Sequence, residues 1–214
     1  MGYDVYGRDI FSEPSCDPDT LKNLGPLKRM AGTWEGLHGI DVHPIAGGTE
    51  KDVFCERYEL KPIDPQTNGP QLFYGLRYHT HIVKPGEVET FHDQVGYWLW
   101  EPAERTVVFT LAIPRAQVLM ASGSAEPDST EFELTAGVGS EQFGILSNPF
   151  LDRAFRTLSF EMRVSIESDD IWSYEEETLL EVEGRKGPFR HTDCNTLKRI
   201  AAPVVNPLAT QLMR

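Results

Sequence analysis

The sequence predicts an all-β fold, a closed antiparallel barrel of about ten strands behind a short helical lead-in. The motif Gly32-Thr33-Trp34-Glu35-Gly36 opens the first strand-like run, as in barrels whose Trp plugs one end. Short period-two runs separated by turn residues then fill most of the chain. The last run ends in Leu197-Lys198-Arg199-Ile200, where a basic side chain can lie over the Trp34 ring and join the last strand to the first.

Composition sets limits on the class of protein. The chain has 214 residues, which fits one domain, and 40% of them are hydrophobic, enough for a core. The formal charge of −13 disfavours nucleic acid and anionic membrane surfaces as partners. No apolar run approaches the roughly 20 residues that span a bilayer, and the N-terminus lacks the pattern of a signal peptide. Three cysteines without a CxxC pair predict a reduced, cytoplasmic protein.

The chain divides into three predicted parts. Residues 1–16 form an N-terminal arm, residues 17–200 the ligand-binding barrel and residues 201–214 a C-terminal tail. Asp17-Pro18-Asp19 is a helix-start signal, and Gly25-Pro26 interrupts the apolar stripe that follows. We therefore expect two short helical pieces that close one end of the barrel.

The strands follow Gly32 in regular order. Turn signals separate them, and residues 137–152 are the one long irregular connection, which we expect to lie over the barrel mouth as a rim loop. The predicted strands cover residues 33–44, 51–61, 71–83, 91–101, 105–113, 116–123, 130–136, 153–167, 171–182 and 190–200. Closing such a sheet removes its edges and leaves room for one small ligand.

The fourth strand carries the first candidate site. His92, Gln94, Trp98 and Trp100 share one face, and Gly96 thins the wall between them. If this face points inward, the pattern predicts a pocket suited to a planar ligand. If it points outward, the exposed Trp pair predicts a dimer contact. We favour the inward orientation.

Other polar residues have two interpretations each. Arg115 follows the strand-ending Pro114, so it either meets a ligand carboxylate at the rim or is a surface turn residue. On the last strand, Thr192 and Cys194 lie on one face and His191 and Asp193 on the other, and local sequence does not decide which points inward. Glu176 belongs to an acidic run that predicts a solvated face, with Glu176 near the rim. A polar row on the third strand is predicted to face outward, whereas a metal site there would need a third ligand that the periodicity does not supply; the row consists of Arg77, His79 and His81.

Two blocks resemble a known family. Ala31-Gly32-Thr33-Trp34-Glu35-Gly36, and Phe91-His92-Asp93-Gln94-Val95-Gly96-Tyr97 followed by Glu101-Pro102 and Ala112-Ile113-Pro114-Arg115, resemble the motifs of the nitrobindin-like haem-binding β-barrels, which are distantly similar to fatty-acid-binding proteins and lipocalins. The resemblance covers roughly residues 28–200. It implies a barrel with a cavity, a last-strand His that ligates haem iron, a central-block His near the haem, and reaction with nitric oxide or peroxynitrite.

The last strand departs from that family pattern. The resemblance places the iron ligand five residues before the position that Leu197 occupies, whereas His191 stands six residues before it. A one-residue shift turns a side chain to the other face, so Thr192 takes the equivalent position and His191 would reach iron only through a β-bulge. We therefore expect Thr192 and Cys194 to line the cavity. Gly32, Trp34, Gly36 and Arg199 form the structural motif.

These observations lead to three hypotheses. The leading one is a cytoplasmic barrel that binds a small apolar or amphipathic molecule without transforming it. The second is a haem protein with peroxynitrite isomerase-like activity, with His191 on the iron. The third is a structural or dimeric interaction module with a vestigial cavity. The sequence does not identify a cofactor, although haem is one candidate. The expected partner is a small apolar or amphipathic molecule. We expect neither nucleic-acid binding nor membrane insertion, and a homodimer is a further possibility.

Overall fold

The computed structural model of the chain describes residues 5–212, which form a β-barrel with short helices at its ends. No helix in this range is long and apolar enough to cross a bilayer. In chain order the elements are α1 (Thr20–Asn23), a 3-10 helix (Gly25–Met30), β1 (Gly32–Ile45), β2 (Gly48–Pro62), β3 (Gln66–Asn68), β4 (Gln71–Val83), β5 (Thr90–Glu101), β6 (Thr106–Ile113), β7 (Gln117–Ser124), β8 (Glu131–Val138), β9 (Gly144–Ser147), α2 (Pro149–Ala154), β10 (Phe155–Ile166), β11 (Ile171–Val182), β12 (Phe189–Ala201) and α3 (Pro207–Leu212).

The barrel closes through the pairing of β2 with β4. Among residues 5–212, eleven strands form its wall, and the short β3 pairs only with β4. The prediction of an all-β closed barrel with a helical lead-in is confirmed, but two of its details are wrong. The count is eleven and not ten, and the sheet is mixed because β9 runs parallel to β8. A strand of four residues, inside what the sequence predicts as a loop, is too short for a period-two pattern to reveal.

The lead-in seals one end of the barrel. Leu24, Leu27 and Met30 are fully buried in the core below the strands. Gly25 has a φ of +54°, and a Cβ there would lie 2.5 Å from the Trp100 ring, so only glycine allows this close packing. The helix begins at Thr20, slightly later than the helix-start signal predicts.

Trp34 joins the first strand to the last at this closed end. Its ring is fully buried, its Nε1 donates to the Met30 carbonyl at 2.7 Å, and Trp172 meets it edge-on at 6.1 Å between centroids. The Arg199 guanidinium lies 4.1 Å from the centre of the Trp34 ring, a cation–π contact. Gly32 leaves room for it, because a Cβ there would lie 2.5 Å from Arg199 Nη1.

The C-terminal segment packs onto the same end. Asn206 is fully buried; its Oδ1 accepts from the Thr20 backbone N–H at 3.1 Å, and its Nδ2 donates to Asp64 Oδ1 at 2.7 Å. At the other terminus the Tyr6 hydroxyl donates to the Glu101 carboxylate. The predicted arm and tail boundaries remain predictions, and residues 1–4 and 213–214 lie outside the described residues.

Replacing Trp34 with Ala is expected to lower the free energy of unfolding by about 3–5 kcal/mol, because a large, fully buried ring is lost. Chemical denaturation of both proteins measures it. A loss below about 1 kcal/mol would contradict the structural role of the motif.

Glu101 makes stability depend on pH. Burial, and then repulsion from Glu104, raise the pKa of Glu101 to about 7 in the folded protein. A carboxyl group with a raised pKa holds its proton more tightly when folded, so its contribution to stability is lost as pH rises from about 4.5 to about 7. Relative to Glu101→Gln, the wild type should lose stability across that range, whereas Glu161→Gln at an exposed site should track the wild type. If the free energy of unfolding varied with pH in the same way for the wild type and Glu101→Gln, this role of Glu101 would be refuted.

Candidate functional site

A cavity of about 590 Å³ lies inside the barrel. Core side chains separate it from the closed end, where Trp34 is buried. One part of its wall is apolar and another carries carboxylates and imidazoles. The apolar lining includes Phe54, Ile82, Leu111, Leu119, Phe160, Met162 and Leu180, and the polar lining includes Asp41, Glu56, Glu176, His191 and Asp193. Such a two-sided wall is typical of small-molecule sites.

The orientation of β12 differs from our expectation. His191 and Asp193 face the cavity, on the same face as the fully buried Leu197, whereas Thr192 is not in the cavity wall and Cys194 is exposed. The prediction that Thr192 and Cys194 line the cavity is therefore wrong. Six residues separate His191 from Leu197, an even number, so regular alternation already places both inside.

No bulge in β12 is needed for this orientation. Its pairing with β11 runs without a shift from Ile171↔Lys198 to Leu180↔Phe189. The register of β1 with both neighbouring strands shifts between Glu35 and Ile40, and its register with β12 shifts again between Thr33 and Trp34, beyond Leu197. The requirement for a bulge to bring His191 inside is therefore also wrong.

The face predicted on β5 points inward but spans two depths. His92 and Gln94 line the cavity. Trp98 and Trp100 are buried below it at the closed end, where Trp98 Nε1 donates to the Tyr58 hydroxyl at 3.0 Å, so neither lines the cavity as predicted. At about 3.3 Å per residue, His92 and Trp100 are roughly 26 Å apart along the strand, and a shared face does not imply a shared depth.

The mouth of the cavity is built by Arg115 and α2. Arg115 is exposed and belongs to the cavity lining, and its carbonyl accepts from Asn148 Nδ2 at 2.7 Å. Asn148 also caps α2, since its Oδ1 accepts from the Phe150 and Leu151 backbone N–H groups. Phe150 and Leu151 contribute to the lining. Part of the predicted rim loop is thus a strand and a helix, and its helix lies at the cavity.

Glu56 is a buried carboxylate whose hydrogen bonds are satisfied. Its Oε1 accepts from Thr80 Oγ1 at 2.7 Å, and its Oε2 accepts from the Tyr174 hydroxyl and Asn195 Nδ2, both at 2.9 Å. Burial raises its pKa, against the effect of these donors. Gly36 belongs to this network, because a Cβ there would lie 2.4 Å from Asn195 Nδ2. The second glycine of the opening motif therefore makes room for the amide that holds Glu56.

Asp41 and His191 form an ion pair in the cavity wall. His191 Nε2 lies 2.7 Å from Asp41 Oδ1, His191 Nδ1 lies 2.9 Å from Thr178 Oγ1, and His43 Nδ1 lies 2.6 Å from Asp41 Oδ2. Burial opposes the charge of both partners. The hydrogen bond and charge of His191 nevertheless lower the pKa of Asp41, and Asp41 raises the pKa of His191. The pair is therefore held in its charged form.

Asp193 and Glu176 lie side by side on neighbouring strands and both face the cavity. Within residues 5–212, no hydrogen bond reaches either carboxylate. Burial, followed by repulsion from Glu56, raises the pKa of Glu176 to about 8, and burial and repulsion from Glu176 raise the pKa of Asp193. The acidic run was predicted to form a solvated face with Glu176 near the rim; Glu175 is exposed, whereas Glu176 lines the cavity, because it shares the inward face of the buried Trp172 and Tyr174.

His92 anchors a second polar chain. Its Nε2 lies 3.2 Å from Gln94 Oε1, Gln94 Nε2 donates to the Tyr78 hydroxyl at 2.7 Å, and Tyr78 donates to the Thr110 carbonyl at 3.1 Å. Burial lowers the pKa of His92, which favours the neutral imidazole. The chain offers a ligand a neutral hydrogen-bonding group opposite the carboxylates.

A second depression, of about 930 Å³, lies on the outer face of β4–β7 beside residues 139–142. It is lined by partly exposed apolar side chains and by Lys61, Arg77 and His79, which face solvent. His79 pairs there with Asp93 at 2.9 Å, and the Arg77, His79 and His81 row faces outward. Because buried titratable groups converge only on the inner cavity among the described residues, the inner cavity is the candidate site.

Comparison with known proteins identifies the family of the chain. Residues 23–199 match the family described as "THAP4-like, heme-binding beta-barrel domain". The chain belongs to this family. The resemblance to nitrobindin-like barrels is thereby confirmed. The THAP4-like fold is also that of a solved structure titled "Crystal Structure of Rv2717c from M. tuberculosis", at 20% identity and a TM-score of 0.59, over 84% of this chain and 96% of that one. No curated protein matches the chain significantly.

Membership of a haem-binding family raises the question of whether this cavity fits haem. Haem iron bound at His191 Nε2 would displace the Asp41 carboxylate from that nitrogen without itself binding Asp41, because the porphyrin nitrogens already supply most of the ligands of the iron. Haem also carries two carboxylates of its own, which would enter a wall that already holds Glu176 and Asp193 without donors. As arranged here, the residues of this THAP4-like domain do not fit haem.

The structure brings together four acidic residues that the sequence alone did not single out as ligand-binding. They are Asp41, Glu56, Glu176 and Asp193. Strand parity could have indicated three of them, because each shares a face with large residues that are buried at the closed end, such as Tyr58 for Glu56 and Leu197 for Asp193. Asp41 is the exception, because the register shift in β1 separates its parity from that of Trp34.

Replacing Gly36 with Ala should destabilise the protein by about 1–3 kcal/mol, because the new methyl group overlaps the Asn195 amide. Gly47→Ala is the matched control, since nothing lies within 4 Å of its Cβ position. Thermal and urea unfolding of the two variants measure the difference. Equal stabilities would show that Gly36 has no such packing role.

Proposed function

We propose that this THAP4-like barrel binds a small amphipathic molecule in its inner cavity and holds it without transforming it. The observation that carries the proposal is the two-sided wall of the 590 Å³ cavity, apolar toward β7 and β10 and acidic toward β11 and β12. Membership of a family of ligand-binding barrels supports it.

The polarity of the wall narrows the ligand. Phe160 and Met162 offer apolar surface to a hydrocarbon or aromatic body. Glu176 and Asp193 offer acceptors without donors of their own, which favours a ligand whose polar end donates hydrogen bonds or is cationic. An anionic head group would meet repulsion there, whereas the Arg115 guanidinium lies at the mouth.

The test uses N-phenyl-1-naphthylamine, a neutral amphipathic amine whose fluorescence rises in apolar surroundings. We expect saturable binding to the full chain. Met162→Trp, which adds bulk to the cavity wall, should weaken it about 10-fold or more. Glu161→Trp, the outward neighbour on the same strand, should leave it unchanged. No binding to the wild type, or equal binding to both variants, would contradict an internal site.

The second candidate is the haem protein, which the family name and the inward position of His191 favour. Haemin titration followed by absorption separates it from the first. Because the cavity residues do not fit haem as arranged, we expect no sharp Soret band. A sharp band in the wild type that disappears in His191→Ala would establish the haem protein and overturn our preference.

Two further properties remain proposals. A cytoplasmic location rests on the three cysteines, which are all free. A homodimer rests on the outer depression, where Val95, Tyr97 and Met120 are exposed apolar side chains. Native mass spectrometry reports the oligomeric state and any bound mass together.

A further inference from the structure

We propose that Asp41, His191 and Asp193 form a binding site for a divalent transition-metal ion of the zinc class in the wall of the cavity. This goes beyond the proposed function, because it requires no organic ligand, and it is distinct from haem binding, because the donors are protein side chains alone.

The donor geometry is the first argument. One carboxylate oxygen each from Asp41 and Asp193 and one ring nitrogen of His191 lie within 4.8 Å of one another. Ligand atoms that are each about 2.1 Å from the same tetrahedral ion lie roughly 3.4 Å apart. Shortening each separation by at most about 1.5 Å, through side-chain movement, therefore closes the set around one ion.

The unpartnered carboxylates are a second, independent argument. Asp193 and Glu176 are half-buried and line the cavity, and no donor among residues 5–212 reaches either of them. The two carboxylates face each other across adjacent strands, so they repel each other when both are ionised, and a cation between them relieves that repulsion. A divalent cation bound to Asp193 supplies the missing positive charge, and Glu176 is placed to face it.

The surroundings of the ligands also fit a metal site. The Nδ1 of His191 is held by Thr178 Oγ1 at 2.9 Å, which orients Nε2 toward Asp41 and the cavity. The second oxygen of Asp41 is held by His43 Nδ1 at 2.6 Å. Metal-bound side chains are typically fixed by outer contacts of this kind. On binding, the ion takes the Nε2 lone pair, and the proton on Nε2 passes to solvent.

The donor types indicate the class of ion. One imidazole nitrogen with carboxylate oxygens favours zinc-class ions over magnesium or calcium, which prefer oxygen ligands alone. A second group, Asp41 with His43 and Asp52, is less suitable because Lys84 Nζ already lies 2.6 Å from Asp52 Oδ2. Three protein ligands leave a coordination position toward the cavity, where the polar end of a ligand can sit.

The test is titration of chelator-treated full chain with Zn²⁺ by calorimetry and with Co²⁺ by visible absorption. We expect one equivalent to bind, with Co²⁺ bands typical of low coordination and a rise in melting temperature. Asp193→Asn should weaken Zn²⁺ binding roughly 100-fold. Asp93→Asn is the matched control, because Asp93 pairs with His79 on the outer surface, and it should bind as the wild type does.

Three results would overturn the site. The first is no Zn²⁺ binding to the wild type, and the second is wild-type affinity in Asp193→Asn. The third is loss of binding in Asp93→Asn or Asp52→Asn instead, because that result would place the ion elsewhere. Melting of each metal-free variant shows whether it folds.

Thr178→Val keeps the proposal testable should Asp193→Asn not fold. It removes only the oxygen that holds His191 Nδ1, and it should weaken Zn²⁺ binding about 10-fold. Wild-type affinity for Zn²⁺ in Thr178→Val would contradict the orienting role of Thr178. If Asp193→Asn also fails to fold, the same result would contradict the proposed metal site. The amine probe and Zn²⁺ are titrated separately into the wild type, so failure of the probe and failure of the metal are distinguishable.

Discussion

The cavity depends on the alternation of β12, which the closed end of the barrel fixes. Leu197 is fully buried, and the Arg199 guanidinium lies over the Trp34 ring. With that end fixed and no register shift against β11, every second residue back along the strand must face inward. His191 and Asp193 therefore enter the cavity because of a contact at the far end of the same strand. A structural motif thus determines the chemistry of the site.

The acidic groups inside the barrel are costly, and the chain handles them differently. Glu56 has three side-chain donors, and Asp41 has two imidazoles. Glu176 and Asp193, which are half-buried at the cavity surface, have none among residues 5–212. Satisfied carboxylates stabilise the fold around them. The unsatisfied pair is where a donor or a cation from outside gains most, which is why both the amphipathic ligand and the metal are proposed there.

The sequence predicted the barrel well because its long strands follow a period of two. All ten long strands were expected, and only the short β3 and β9 were missed. The site was harder to predict. Local alternation along a strand indicates which face a side chain occupies, but it does not indicate how deep in the barrel that side chain lies. Trp100 shares a face with His92 yet lies at the closed end, and the expected facing of Thr192 came from a family spacing and not from its parity with Leu197. Which carboxylates lack donors depends on neighbours from other strands, which no single stretch of sequence contains.

The orientation of β12 can be measured most directly by nuclear Overhauser contacts in the metal-free protein. We expect contacts between the His191 ring protons and the Thr178 methyl group across the β11–β12 pair inside the cavity. We also expect that the Thr192 methyl group makes no contact with Phe160 or Met162, which line the interior. Contacts from Thr192 or Cys194 to those two side chains would contradict it, because the carboxylates and imidazole of β12 would then face solvent.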